Sequence, residues 1–117
     1  MHEPLETYRQ TLLDLYLRLP DTPRRLSRYD LRLVRDLWER RVPLQLVEMA
    51  FLLASARRRA RSPDAIPLGP IRSLHYFLPV IEELLQTPLR QGDTYLAHLR
   101  RQIPLRPAAS QASSAKG

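Results

Sequence analysis

The sequence predicts an all-α fold, a compact bundle of four to five helices around one central buried helix at about residues 43–60. Three observations support this prediction. Apolar residues recur at three- and four-residue spacings in several segments, prolines separate those segments, and no stretch alternates as a half-buried strand does. At 117 residues the chain is long enough for one modest core. We therefore predict a single helical domain at 1–103 and a disordered tail at 104–117.

The central helix is predicted from residues 42–61, VPLQLVEMAFLLASARRRAR. Its first fifteen residues are apolar almost all round, which is typical of a helix that neighbours bury on several sides. The polar exceptions, Gln45, Glu48 and Ser55, lie on one narrow stripe that Arg59 continues. Arginines suit the C-terminal end of the segment because that end of the helix dipole is negative. The segment is therefore predicted as a core helix with a cationic last turn.

The first helix is predicted from Pro4, because proline suits the first position of a helix. Apolar residues then recur at helical spacing until Pro20 ends the pattern. The predicted apolar stripe consists of Leu5, Tyr8, Leu12, Leu15, Tyr16 and Leu19.

The second helix is predicted to begin at Ser27, an N-cap residue, with Asp30 in the place of a capping-box acid. Leu26 and Leu31 stand at the spacing of a hydrophobic staple. The predicted apolar face consists of Leu31, Leu33, Val34, Leu37 and Trp38. The short connection at Val42 and Pro43 then forces a sharp turn into the central helix.

A rigid loop is predicted at residues 62–70, which contain three prolines and a glycine. The next segment, residues 71–86, has a helical period, and Pro79 in its middle must kink it or split it in two. His75, beside two aromatic residues, is predicted to be packed or half-buried rather than catalytic.

The last helix is predicted to begin at Asp93, an N-cap that follows Gly92. It is expected to turn Tyr95, Leu96 and Leu99 inward. From residue 104 the chain is small and polar with almost nothing to bury, which predicts the disordered tail.

Composition favours an acidic partner. The net charge is +7 and the pI about 10.7, and Lys116 is the only lysine. Arginine suits phosphate because its planar fork donates two hydrogen bonds to one group. Codon usage in a GC-rich genome is an alternative source of the same arginines. The absence of cysteine fits a reducing compartment, and the longest apolar run, residues 49–54, is too short to span a bilayer, so we expect a cytoplasmic protein without membrane contact.

Catalysis finds little support in the sequence. The three histidines have no partner at metal-ligand spacing, and there is no cysteine to join them. Adjacent Glu82 and Glu83 point to different sides of a helix and are not a carboxylate pair. Glycine is scarce, and neither a P-loop nor a dinucleotide fingerprint is present. We therefore expect a protein that is not an enzyme and needs no metal or cofactor.

Arginines form two clusters that suggest a nucleic-acid site. If the second helix and the central helix form a hairpin, both clusters gather at one end of the domain. The alternative is a solvated helix face, with Arg32–Asp36 and Arg35–Glu39 as ordinary ion pairs. The candidate residues are Arg24, Arg25, Arg28, Arg32 and Arg35 in the first cluster, Arg57, Arg58, Arg59 and Arg61 in the second, and Arg72 nearby. Tyr29 and Tyr76 beside these arginines could stack exposed bases, although core positions are the favoured interpretation for them.

The order of features over residues 26–85 resembles the helical C-terminal domain of DnaD-type primosome and phage replication-initiation proteins. Leu26, Ser27 and Asp30 match the family's first element, and Trp38 matches the aromatic that ends its helix. The second element is matched by Leu46, Val47, Glu48 and Ala50, and the third by Tyr76, Val80 and Leu84. Leu84 stands where the family has tryptophan, and Pro79 interrupts the motif helix. The resemblance implies DNA binding with Tyr76 at the contact, interaction with a helicase loader, and self-association.

The leading hypothesis is a small basic nucleic-acid-binding accessory protein that holds phosphates through an arginine patch, with DNA favoured over RNA. A replication-initiation or mobile-element factor, partnered by a helicase or an initiator, is its specific form. The alternative is an adaptor that self-associates or docks an acidic partner. A membrane-surface protein is disfavoured because the arginines cap helices and do not line one long amphipathic face.

Overall fold

The computed structural model describes residues 3–23, 25–87 and 89–107. Over these residues the chain forms five α-helices and one 3₁₀ helix, and no β-strand. The helices are α1 (Leu5–Arg18), α2 (Arg28–Glu39), α3 (Leu44–Arg59), a 3₁₀ helix (Leu74–Phe77), α4 (Leu78–Gln86) and α5 (Gly92–Gln102). The predicted all-α fold is confirmed.

The central helix α3 contacts α1, α4, α5 and the 3₁₀ helix. All seven residues at 49–55 are buried, which its nearly all-round apolar composition requires. The prediction of a central buried helix is therefore confirmed. Its polar positions are not all solvated, because Ser55 is buried among the apolar residues.

Helix α1 packs on both α2 and α3. Pro4 is its N-cap and not its first helical residue. Tyr8 and Tyr16 are buried on the apolar face, and the Tyr8 hydroxyl donates a hydrogen bond to the Val42 carbonyl at 2.7 Å. Burial, with the nearby charge of Glu3 as a second cause, raises the pKa of Tyr8 to about 12. This contact holds the start of α1 against the connection between α2 and α3.

Both ends of α2 are closed by local hydrogen bonds. The predicted capping box at Ser27 and Asp30 is present with both of its bonds. At the other end Arg41 has a φ of 59°, and the Val42 amide donates to the Leu37 carbonyl, which is the pattern of a Schellman motif. Leu31, assigned to the apolar face from the sequence, is exposed.

Pro79 splits the fourth segment in two, which is one of the two outcomes predicted from the sequence. The 3₁₀ helix ends at Phe77, and α4 then begins with Pro79 in its first turn, where the missing amide hydrogen costs no helical bond. His75 is exposed, which corrects the prediction of a packed histidine.

Helix α5 begins at Gly92, one residue before the predicted start, and Gln91 precedes it with a φ of 53°. The N-cap is Gln91, whereas the sequence predicts Asp93. Asp93 lies in the first turn and accepts a hydrogen bond from the Gln45 side chain. Leu96 and Leu99 are buried as predicted, whereas Tyr95 is exposed.

The start of the predicted tail packs against α1. The Arg106 amide donates to the Arg18 carbonyl at 2.6 Å, and Arg18 Nε donates back to the Arg106 carbonyl at 2.9 Å. Leu105 packs on the core. Packing on the helices thus continues to Arg106, and residues 108–117 of the predicted tail lie outside the described residues. Within the described residues, no helix combines the length and the apolar character needed to cross a bilayer.

Candidate nucleic-acid interface

The N-terminal end of α2 and the C-terminal end of α3 both contact the 3₁₀ helix. The Asp30 carboxylate, in the first turn of α2, accepts a hydrogen bond from the Leu74 amide at 2.9 Å. In the last turn of α3, Arg58 donates to the Tyr76 hydroxyl at 3.1 Å. Leu74 and Tyr76 are two residues apart, so their Cα atoms lie within about 7 Å of each other. The 3₁₀ helix therefore brings these two helix ends to the same end of the bundle.

This arrangement differs from the hairpin considered from the sequence. Helix α2 packs on α1 and the 3₁₀ helix and does not pack along α3. Helix α1 contacts both of them. Any approach of the two arginine clusters therefore depends on the segment at 71–77 and not on the short connection between α2 and α3.

Arg58 is held inside the cluster rather than on its surface. Its side chain is 11% exposed and lies 3.6 Å from the Asp21 carboxylate. Its guanidinium donates to the Gly69 carbonyl at 2.8 Å and stands 5.3 Å from the centre of the Tyr76 ring. Arg58 therefore ties the loop at 60–73 to α3 and orients Tyr76.

Two further candidate arginines form ion pairs with carboxylates. Arg57 donates two hydrogen bonds to Glu83, at 2.9 and 2.7 Å. The Arg57 guanidinium lowers the pKa of the Glu83 carboxyl, and the same bonds raise the pKa of Arg57. Arg35 pairs with Glu39 at 3.1 Å, as the solvated-face alternative predicts. These arginines are already neutralised in part.

The remaining described candidates are exposed, and within the described residues none of them forms an ion pair. Arg32 and Asp36, which are both described, do not form the predicted ion pair. Arg24 lies outside the described residues. The exposed, unneutralised candidates are Arg25, Arg28, Arg32, Arg59, Arg61 and Arg72.

Both candidate tyrosines are exposed, which corrects the favoured core interpretation. Tyr29 is 66% exposed and Tyr76 is 41% exposed. The Tyr76 ring packs edge-on against the buried Phe77, with ring centroids 5.2 Å apart, so one part of it is fixed and the other is open to solvent. Tyr29 precedes Asp30, whose carboxylate holds the 3₁₀ helix. Tyr76 therefore stands where the 3₁₀ helix meets α3, and Tyr29 is the chain neighbour of the residue that joins α2 to the 3₁₀ helix.

Two depressions flank Arg58 and Arg61. One, of about 240 Å³, lies between α3 and Tyr76 and has Leu68 in its wall. The other, of about 340 Å³, lies against the loop and adds Arg59 to its lining. The first combines a cationic rim with an exposed aromatic ring, the pairing of groups that phosphate and an unstacked base require.

Within the described residues, no group of three histidine, cysteine or acidic side chains is placed to hold a metal ion. Comparison of the chain with protein-family models, with curated proteins and with solved structures finds no match.

Arg58→Lys is expected to lower the free energy of unfolding by about 1–2 kcal/mol, although the charge is kept. Lysine lacks the planar fork that reaches Gly69 and Tyr76 together, so about one or two hydrogen bonds are lost. Urea denaturation followed by circular dichroism measures the change. The matched control is the exposed Arg59→Lys, for which we expect a change within about 0.5 kcal/mol. Equal effects of the two substitutions would contradict the structural role of Arg58.

Proposed function

We propose that this protein is a small nucleic-acid-binding accessory protein, with DNA as the favoured ligand. One observation supports it most directly: exposed arginines that have no carboxylate partner among the described residues lie on the three segments that meet at the 3₁₀ helix. They are Arg25 before α2, Arg28 and Arg32 in its first two turns, Arg61 after α3, and Arg72 just before the 3₁₀ helix. Such a patch attracts phosphates and releases counterions from the strand.

The exposed rings of Tyr29 and Tyr76 favour a strand with accessible bases. Phosphate contacts carry no sequence information, whereas aromatic rings stack on any unpaired base. We therefore propose weak sequence preference and tighter binding to single strands than to duplex. The resemblance to DnaD-type domains supports a role in replication initiation or in a mobile element, beside a helicase or initiator in the cytoplasm.

Fluorescence anisotropy with single- and double-stranded oligonucleotides at increasing salt tests the proposal. For the wild type, log K is expected to fall with log[salt] by about 0.7 for each phosphate neutralised on a single strand. In the triple variant Arg28→Gln, Arg32→Gln, Arg61→Gln, we expect this slope to become shallower by up to about 2, because three phosphate contacts are removed.

The control removes the same charge at the other end of α2. Tyr8 contacts Val42, so Arg9, Arg40 and Arg41 lie near that end, where Arg9 pairs with Glu6 and Arg40 with Glu82. Their replacement by glutamine is expected to leave the slope nearly unchanged. Equal losses in both triple variants would indicate a general charge effect, and no binding of the wild type to micromolar DNA at low salt would refute the proposal.

A second function, an adaptor that self-associates or docks an acidic protein, is favoured by the loop at 60–73. Ile66 is 82% exposed and Leu68 is 48% exposed, so the loop presents apolar surface beside the arginines. Light scattering after size exclusion distinguishes the two functions. An oligomer that is insensitive to salt and has no affinity for DNA would favour the adaptor.

A further inference from the structure

Helix α5 packs on α3, and one of its sides forms hydrogen bonds with the first two residues of the polar stripe of α3. Asp93 accepts a hydrogen bond from Gln45, and Arg100 donates two bonds of 2.7 Å to Glu48. Gln45 and Glu48 therefore have partners on α5. Arg59, the last member of the stripe, has no acidic partner among the described residues.

The opposite side of α5 faces the last turn of α3 and forms a groove with it. The groove has a volume of about 340 Å³, with Arg59 on the side of α3 and Tyr95 and His98 on the side of α5. Leu99 and Ile103 contribute apolar surface to it. The residues that line it, all within the described part of the chain, include no acidic side chain. An anionic ligand would therefore meet only cationic, polar and apolar groups there.

Tyr95 and His98 present two nearly parallel rings at this groove. Their planes are inclined by 16° and their centroids are 6.2 Å apart, the offset expected for residues three apart on a helix. Tyr95 is 36% exposed, and His98 is exposed. The two rings thus offer an aromatic surface, of nearly parallel planes, that the core does not use.

This aromatic surface lies between two depressions and connects with the arginine patch. On its other side is a second depression, of about 590 Å³, whose lining, as far as the structure describes it, includes Arg90 and no acidic residue. Arg59 lines both the groove at α5 and the depression against the loop at 60–73. A ligand could therefore pass from Tyr76 by way of Arg61 and Arg59 to the two rings, and the one carboxylate in the lining of these depressions, that of Asp21, lies 3.6 Å from the Arg58 guanidinium.

We propose that Tyr95 and His98 form a second base-stacking platform for a single nucleic-acid strand, with Arg59 and Arg90 holding the phosphates on either side. This inference rests on the proposed nucleic-acid function and extends it to the far side of α3. The occupant is a single strand because base pairing would keep its bases from the rings, whereas every unpaired base has a π face to stack. The sugar can be deoxyribose or ribose, since neither ring reads it.

Tyr95→Leu and Tyr95→Phe test the platform, since leucine keeps an apolar side chain without a ring and phenylalanine keeps the ring. The probes are a 16-nucleotide oligodeoxynucleotide and its ribonucleotide counterpart, each containing 2-aminopurine, whose fluorescence is quenched on stacking. We expect Tyr95→Leu to weaken binding about five- to tenfold and to reduce quenching, and Tyr95→Phe to bind within about twofold of the wild type. Circular dichroism confirms that each variant is folded.

The outcomes separate this inference from the function on which it rests. One outcome would overturn the platform and leave the proposed function intact. In it, Tyr95→Leu binds as tightly as the wild type, whereas the triple variant of Arg28, Arg32 and Arg61 loses binding. Equal losses in the leucine and phenylalanine variants would indicate a role of the hydroxyl and would also overturn stacking. A wild type that binds neither probe at low salt would refute the proposed function and the platform together.

Discussion

Replacing Asp30 by alanine is expected to lower the free energy of unfolding by about 3 kcal/mol. The carboxylate is 1% exposed, and its two oxygens accept hydrogen bonds from the Ser27 amide and the Leu74 amide, each at 2.9 Å. Loss of a helix cap costs about 1 kcal/mol, and loss of a charge-assisted bond to a buried amide about 2 kcal/mol more. At about 4 °C per kcal/mol, the melting temperature should fall by roughly 12 °C.

Two controls separate the local cap from the long-range contact. Ser27→Ala removes the other bond of the capping box but leaves the contact with Leu74, so we expect a loss of about 1 kcal/mol. Asp30→Asn keeps one oxygen for the Leu74 amide and should lie between the two. Thermal unfolding followed by circular dichroism measures all three variants. A smaller effect for Asp30→Ala than for Ser27→Ala would contradict the second hydrogen bond.

The same variant bears on the candidate interface. Asp30 fixes the 3₁₀ helix to α2, and Arg58 fixes Tyr76 to α3, so these two contacts position the arginines of one helix relative to those of the other. Asp30→Ala leaves every arginine in place. The fraction of the protein that remains folded should nevertheless bind single strands more weakly than the wild type, because the arginines are no longer held in position. Affinity is measured well below the melting temperature, so that the unfolded fraction does not contribute.

Local signals made much of the fold predictable. The capping box at Ser27 and Asp30 follows from residue types three positions apart, and the split at Pro79 follows from the missing amide hydrogen. The burial of α3 follows from its composition, because a helix that is apolar on nearly every side has no stable position at the surface. Each of these features is decided within about one or two turns of chain.

The features that the sequence did not predict are decided by distant contacts or by the edges of a helical face. Tyr95 adjoins Leu96, but the buried stripe is centred on Leu96 and Leu99 and leaves Tyr95 on its flank. Arg41 adopts a positive φ without being glycine, because the Schellman bonds and the burial of Val42 fix the turn. The separation of candidate arginines into paired and unpaired sets depends on carboxylates brought in by packing, as with Glu83.

The second bond of Asp30 belongs to the same class. From the sequence alone the residue has one role, as the acid of a capping box, and its second oxygen has no assigned partner. The partner is an amide 44 positions along the chain, and nothing in the local pattern at Leu74 marks it. The position of the candidate interface could therefore be hypothesised from residue types, whereas the contact that assembles it could not.

Phe77→Ala is expected to lower the free energy of unfolding by about 4 kcal/mol. Phe77 is fully buried, and its ring lies 4.9 Å from that of Phe51 and 6.1 Å from that of Tyr16, measured between centroids. Truncation of a buried phenylalanine removes its transfer free energy and leaves a cavity, which together cost about 3–5 kcal/mol. These three rings join α1, α3 and the 3₁₀ helix, so the cavity cannot close without moving one of these elements.

Tyr76→Ala is the matched control, because it removes the neighbouring ring on the solvent side. Tyr76 is partly exposed, so we expect its truncation to cost about 1 kcal/mol. Urea denaturation of both variants measures the difference, and a cost for Phe77→Ala no greater than that for Tyr76→Ala would contradict a core that includes the 3₁₀ helix.

The two variants should also differ in function. Tyr76→Ala is expected to weaken single-strand binding while the protein stays folded. Phe77 has no exposed surface, so Phe77→Ala should weaken binding only to the extent that the 3₁₀ helix is displaced.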